Sequence, residues 1–237
     1  MKKISVAMAT YNGEKYIKEQ IESILVCLGN EDELIISDDE STDSTLDIIK
    51  SFNDKRIHLI NGPKKGIKQN FANAIENTSG EYIFLADQDD IWNENKVKDV
   101  VKCFEKEKCT LVVHDAEIVD EKLNVIKDSY YKYRNSGKGI IKNIYKNTYI
   151  GCCMAFSKEI KKYILPIPND IEMHDQWIGV LNDKYGKTYF LEEKLIKYRR
   201  HSLNNSRMSH YGIAKMIKNR LKFIKRYKER TNGNRKK

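Results

Sequence analysis

An α/β fold is predicted, with a Rossmann-like, mostly parallel sheet flanked by helices and a basic helix at the C-terminal end. Three observations predict it. Short apolar runs alternate with amphipathic stretches over residues 4–86, the pattern of a parallel sheet with right-handed crossovers and helices on both faces. Three of those runs end in polar, acid-rich clusters, at the strand ends where open α/β sheets bind ligands. Basic residues gather in residues 211–237, which carry eleven Lys/Arg against Glu229 alone.

The first strand is predicted at 4–9. A helix follows over 14–28, with Ile17, Ile21, Ile24 and Leu28 on one face. A second strand at 33–37 precedes a helix carrying Leu46, Ile49 and Phe52. A third at 56–60 leads through Asn61-Gly62-Pro63 to a helix at 67–77. The fourth, at 82–86, is introduced by Gly80 and is apolar throughout, as a strand buried on both faces should be. Beyond Asp90 the spacing predicts a helix over 93–106 and a strand at 111–114. Residues 128–142, rich in Tyr and Lys with Gly137 and Gly139, read as a mobile loop. An apolar segment at 149–156, short helices near 158–163 and 175–184, and strands at 188–191 and 195–198 complete the body. One domain is expected over 1–210, with a nucleotide-binding half (1–110) and an acceptor-binding half (111–210), followed by a basic amphipathic tail (211–237).

The chain has 237 residues, 40% of them hydrophobic and 10% aromatic, enough to build a core and to exclude global disorder. The run 4–9 is too short for a signal-peptide core, and no stretch approaches a membrane span. The five cysteines show no Cys-x-x-Cys spacing, so reduced thiols in a cytoplasmic protein are expected. The whole chain carries +9 and the tail +10, leaving −1 on residues 1–210. The basic character therefore belongs to the tail, and no nucleic-acid partner is expected.

The Asp87-Gln88-Asp89-Asp90 cluster directly follows the fourth strand. Two carboxylates about 4 Å apart repel by about 4 kcal/mol at an effective dielectric near 20. A divalent cation turns that repulsion into attraction, and hard oxygen ligands suit Mg²⁺ or Mn²⁺ shared with substrate phosphates. A solvated acidic turn capping the next helix would use the same residues. Ala9-Thr10-Tyr11-Asn12-Gly13 closes the first strand and Ser37-Asp38-Asp39-Glu40-Ser41-Thr42-Asp43 the second. Each alone reads as a turn or a helix cap; their convergence on one sheet edge points to a nucleotide site.

On these segments, with Gly80-Glu81-Tyr82, the sequence resembles the family 2 glycosyltransferases of GT-A fold. Ala86–Trp92 with 173–179 is most similar to bacterial rhamnosyl- and galactosyltransferases of surface polysaccharide assembly. The resemblance implies that Thr10, Tyr11 and Asn12 pack around base and ribose. Asp39, or alternatively Asp38, would accept a hydrogen bond from the imide of uracil or thymine. Asp87 would reach ribose or metal, and Asp89 would be the principal ligand of Mn²⁺ or Mg²⁺. Lys68 and Asn70 would touch base or phosphates, or else mark an exposed helix start. The family usually has glycine where this chain has Glu40.

The resemblance further implies that Asp175, within Met173-His174-Asp175-Gln176-Trp177, is the general base for a saccharide hydroxyl. His174 and Trp177 would bind the acceptor, with a core tryptophan as the alternative. His201, in Tyr198-Arg199-Arg200-His201, would complete the metal's coordination or lie on the surface. The implied activity is metal-dependent, inverting transfer from a UDP- or dTDP-sugar to a lipid-linked glycan of capsule, O-antigen or cell wall.

In the tail, Ile213, Ile217, Leu221 and Ile224 recur at helical spacing, with Lys215, Lys218, Lys222, Lys225 and Arg226 opposite. This is the pattern of a helix on an anionic membrane, which implies a peripheral location on the inner face of the cell membrane. A helix docked on the body is the alternative. Two rival functions remain. A nucleotidyltransferase would need a glycine-rich, arginine-containing loop that residues 9–14 lack. A non-catalytic RNA-binding protein would not need Asp39, Asp89 and Asp175.

Overall fold

The computed structural model describes residues 3–202, 204 and 212–233. Tyr211 and residues 234–237 of the tail, and Leu203, Asn205 and Ser206 behind His201, lie outside the described residues. The nucleotide half runs β1 (Ile4–Thr10), α1 (Ile17–Cys27), β2 (Glu33–Asp38), α2 (Thr45–Ser51), β3 (Ile57–Asn61), α3 (Ile67–Glu76) and β4 (Tyr82–Ala86). A short β5 (Ile91–Trp92) and α4 (Lys96–Glu107) lead on to β6 (Leu111–Val119), β7 (Val125–Lys127), α5 (Tyr130–Arg134) and α6 (Ile140–Tyr145). After a 3-10 turn (Gly151–Cys153) come β8 (Met154–Ser157), α7 (Lys161–Ile164), α8 (His174–Tyr185), β9 (Thr188–Arg199) and α9 (Ile213–Gly233).

The strands form one sheet in the order β3-β2-β1-β4-β8-β6-β9-β5, with β7 on β6. β1 to β4 are parallel, as their alternation with helices predicts. Every residue of β1 and β4 is buried, consistent with central strands covered on both faces. Parallel order stops at β8, which runs antiparallel to β4 and to β6. Pairing Thr10 with Asp38 and Met8 with Ala86 brings the three acid- and polar-rich strand ends onto one edge.

Two expectations are corrected beyond β4. Residues 128–142 are not a bare loop but contain α5 and the start of α6. A buried acid anchors this stretch alongside Tyr130, Tyr131 and Ile140, which pack on the core: Asp115 on β6 accepts the Ser129 hydroxyl (2.5 Å) and the Tyr131 amide (2.9 Å). Ser129 also caps α5 through the Lys132 amide. The strands at 188–191 and 195–198 are one, β9, paired in parallel with β6. The register jumps between Leu191 and Lys194, so Glu192 and Glu193 bulge into solvent and imitate a turn in the sequence.

The tail helix α9 packs on the body. Phe223 is buried edge-on to Trp177, with centroids 5.8 Å apart. Arg226 pairs with Asp170 at 2.8 Å instead of joining the outer basic face. Arg230 donates to the carbonyls of Tyr163, Leu165 and Pro166. Ile213, Ile217 and Leu221 face outward, exposed by 73, 49 and 62%. Among the described residues no helix is long and apolar enough to cross a membrane.

Candidate functional site

The ends of β1 and β2 are stitched together by a buried carboxylate. Asp38 accepts the Thr10 hydroxyl (2.8 Å), the Ser41 amide (2.8 Å) and the Ser41 hydroxyl (2.6 Å). Thr10 and Asp38 are thus both buried and bonded to each other at the strand ends. Tyr11, in contrast, is 57% exposed, and Gln88 holds its backbone through both N–H (2.9 Å) and C=O (3.1 Å). Asn12 adopts a left-handed backbone, φ 47°, and its side chain accepts the Thr42 amide at 2.8 Å.

Asp39 stands half-exposed beyond this pair and accepts the amides of Lys64 (2.6 Å) and Gly66 (2.9 Å), one on each oxygen. Its neighbour Glu40 has φ 66°, a conformation that glycine adopts without strain. The Glu40 carboxylate pairs with Lys64 across the same loop. Asn70 is buried and donates to the Thr10 carbonyl at 3.0 Å, leaving its Oδ1 without a partner among the described residues. The Lys68 ammonium donates to the carbonyls of Asn169 (2.8 Å) and Ile171, and its charge acts on His174.

Carboxylates crowd at the end of β4. Asp87 keeps an accessible edge yet lies deep, and burial, then the charges of Asp89 and Asp175, push it up to about 7. Asp90 is fully buried and raised by burial and by its two acidic neighbours. One of its oxygens accepts the Arg199 amide at 3.0 Å, and the other has no partner among the described residues. Donor atoms of Asp87, Asp90 and Cys152 lie within 4.8 Å of one another. Asp89 accepts from Asn204 Nδ2 at 3.0 Å and lies 2.8 Å from His201 Nε2. The His201 ring packs on Tyr16 at 4.6 Å. The donor cluster thus comprises two carboxylates and a thiol, and the Asp89–His201 pair stands apart from it. The orphaned Asp90 oxygen and the mutually repelling acids fit a divalent cation, and the oxygen donors suit the Mn²⁺ or Mg²⁺ kind.

Lys96 was not legible as part of this site, because a lysine opening a helix reads as solvated. It is fully buried, donates to the Cys152 carbonyl at 2.8 Å and sits 3.7 Å from the centre of the Trp92 ring. Burial draws its pKa down to about 8.

Asp175 occupies the first turn of α8, where the helix dipole favours an anion. Its Oδ1 accepts from Asn147 Nδ2 (3.0 Å) and from the Gln176 amide (2.5 Å). Burial nonetheless pushes the carboxyl up to about 6. His174 is buried and stacked on Phe71 at 4.1 Å, with neither ring nitrogen partnered among the described residues. Burial and then Lys68 pull it down to about 3, so the ring is neutral. Trp177 is fully buried, and its indole N–H is held by the Ile164 carbonyl at 2.8 Å. His174 lies under α3, and Trp177 takes the core placement that was the alternative to acceptor stacking, beneath α9.

A family model described as Glycosyl transferase family 2 matches residues 5–165. The chain is 30% identical over 218 residues to the dTDP-rhamnosyl transferase RfbG of Shigella flexneri, covering 83% of this chain and 72% of that protein. It is 26% identical to the putative teichuronic acid biosynthesis glycosyltransferase TuaG of Bacillus subtilis (strain 168), covering 86% and 80%. Among solved structures it resembles S. aureus TarS 1-349 in complex with UDP-GlcNAc, with a TM-score of 0.71 at 19% identity. That match covers 92% of this chain and 64% of TarS 1-349, so the chain spans just under two thirds of that structure.

Proposed function

The chain belongs to glycosyl transferase family 2, and we propose that it is a metal-dependent, inverting enzyme transferring a sugar from a UDP- or dTDP-sugar to a saccharide acceptor. The acceptor in this reading is a lipid-linked glycan of capsule, O-antigen or cell-wall polysaccharide. One observation carries the proposal: Asp87 and Asp89 close β4 with His201 against Asp89, and Asp175, opening α8, lies near enough for its charge to raise Asp87. Similarity to a rhamnosyl transferase and to a teichuronic acid glycosyltransferase supports the donor and acceptor classes.

In this account Tyr11 and Asn12 present exposed side chains to the nucleoside. Asp39 has lone pairs left after binding two backbone amides and accepts the imide N–H of the base. Asp87 would reach the ribose or a cation, and Asp89 with His201 would hold that cation. When bound, the Mn²⁺ or Mg²⁺ supplies positive charge that offsets the leaving diphosphate. The acceptor oxygen forms a bond to the anomeric carbon as the bond from that carbon to the diphosphate oxygen breaks. The electron pair leaves with the nucleoside diphosphate, the hydroxyl proton passes to Asp175, and attack opposite the leaving group inverts the centre.

The outer stripe of α9, Ile213, Ile217 and Leu221 flanked by Lys218, Lys222 and Lys225, seats the enzyme on an anionic membrane surface. That location suits a lipid-linked acceptor on the inner face of the cell membrane. A panel of UDP-, dTDP- and GDP-sugars, titrated with and without Mn²⁺, tests the donor assignment. Saturable, Mn²⁺-dependent binding of a UDP- or dTDP-sugar is expected; binding of none of them would overturn it.

A further inference from the structure

Asp175 is held from a segment outside its own helix. Asn147 follows α6, and its amide is locked by local backbone: Asn147 Oδ1 accepts the Tyr149 N–H at 3.1 Å. With that oxygen engaged, the amide cannot flip, and Nδ2 must face Asp175, to which it donates at 3.0 Å. The backbone around Asn147 is equally fixed. The buried Asn143 accepts the Thr148 amide (3.0 Å) on its side chain and Gln176 Nε2 (2.7 Å) on its carbonyl, tying this segment to α8. Arg134 on α5 donates to the Asn147 carbonyl at 3.2 Å, setting a positive charge beside the pair.

The bonds to Asp175 from Asn147 and from the Gln176 amide end on the same oxygen, Oδ1, and the Gly151 backbone also faces the carboxyl. We infer that Asn147 is a positioning residue: it pins Oδ1 and leaves Oδ2 as the oxygen that takes the acceptor's proton. This inference rests on the reading of Asp175 as general base. A purely structural role would lie in the turn to Tyr149, where the shorter bond uses the accepting oxygen of residue 147 (3.1 Å) and Nδ2 reaches the Tyr149 carbonyl only at 3.4 Å.

Asn147→Asp separates the two. It keeps an oxygen for the Tyr149 amide but replaces the donor facing Asp175 with a second acid. The full-length Asn147→Asp and Asn147→Ala proteins are to be compared with wild type for Mn²⁺-dependent nucleotide affinity, thermal midpoint and kcat at saturating donor. The expected result is unchanged nucleotide affinity with kcat reduced by about tenfold or more in both, because a hydrogen bond to a charged group is lost. Wild-type kcat in either folded variant would overturn the inference. So would parallel loss of fold or nucleotide binding in both, which would mark a structural residue. If wild type shows no sugar transfer at all, the functional reading itself fails. If wild type transfers, Asp175→Asn does not, and both Asn147 variants match wild type, only this inference fails.

Discussion

The imidazole Nε2 of His201 lies 2.8 Å from Asp89 Oδ2, closing a separation of 112 residues along the chain. Asn204 Nδ2 reaches the same oxygen at 3.0 Å. The chain leaving β9 therefore folds back over the acidic end of β4. Arg199 secures this return with a backbone bond to Asp90 (3.0 Å) and a side-chain bond to Glu19 (2.6 Å). A cation at Asp89 would thus meet an imidazole already in place, so little ordering is required when it binds.

The pH dependence follows from Asp175. Burial raises its carboxyl to about 6, and in the proposed role of general base it works only when ionised. Transfer at saturating donor should therefore climb as pH rises through about 6 and fall about tenfold per unit below it. A rate constant that stays level from about pH 5 to pH 8 would contradict the role of Asp175.

Trp177 tests core against acceptor site. Because it is fully buried against Phe223, Trp177→Ala should cost about 3–5 kcal/mol of folding stability in urea unfolding. Trp177→Phe should cost about 1–3 kcal/mol, since the Ile164 carbonyl loses its donor. A variant of wild-type stability with a raised acceptor KM would restore the stacking role.

Glu40 carries a conformational cost. Its φ of 66° disfavours an L side chain by about 1–2 kcal/mol, while its exposed pair with Lys64 contributes under about 1 kcal/mol. Glycine's greater freedom in the unfolded chain offsets part of the gain. Glu40→Gly should therefore stabilise the fold by about 0.5 kcal/mol. A clear drop in the urea midpoint would show that the loop depends on the ion pair.

The outer face of α9 can be changed without touching the fold at Lys218 and Lys225, which are exposed beside Ile217 and Leu221. Reversing these two lysines to glutamate should weaken binding to anionic vesicles by more than about tenfold, at about 1 kcal/mol per basic residue. The thermal midpoint should stay at the wild-type value. Vesicle binding that survives the change would remove the membrane role from this helix.

The nucleotide half of the fold was legible because local pattern and tertiary context agree there. β1 and β4 are apolar throughout, and each is followed by a polar cluster, so strands and strand ends read directly from residue order. The second half was less legible because its order comes from buried polar groups. Asp115 anchors α5, Asn143 ties α6 to α8, and the Glu192–Glu193 bulge hides one strand as two. Within the site, Asp87, Asp89, Asp175 and His201 were visible as residue types in motifs. The direction of Lys68 and the burial of Trp177 were not, because both depend on the Pro166–Asp170 segment and on α9 packing against it. Asn147 carries no signal in the sequence, since its role depends on a contact with a residue 28 positions away.

The most direct test of the central claim compares Asp89→Asn and Asp175→Asn in one Mn²⁺-dependent nucleotide titration alongside a transfer assay. Asp89→Asn should lose both metal-dependent donor binding and transfer. Asp175→Asn should bind donor as wild type does while transfer falls by about 10²- to 10⁴-fold. Equal loss of donor affinity in the two variants would contradict the division of labour between cation-holding acids and general base.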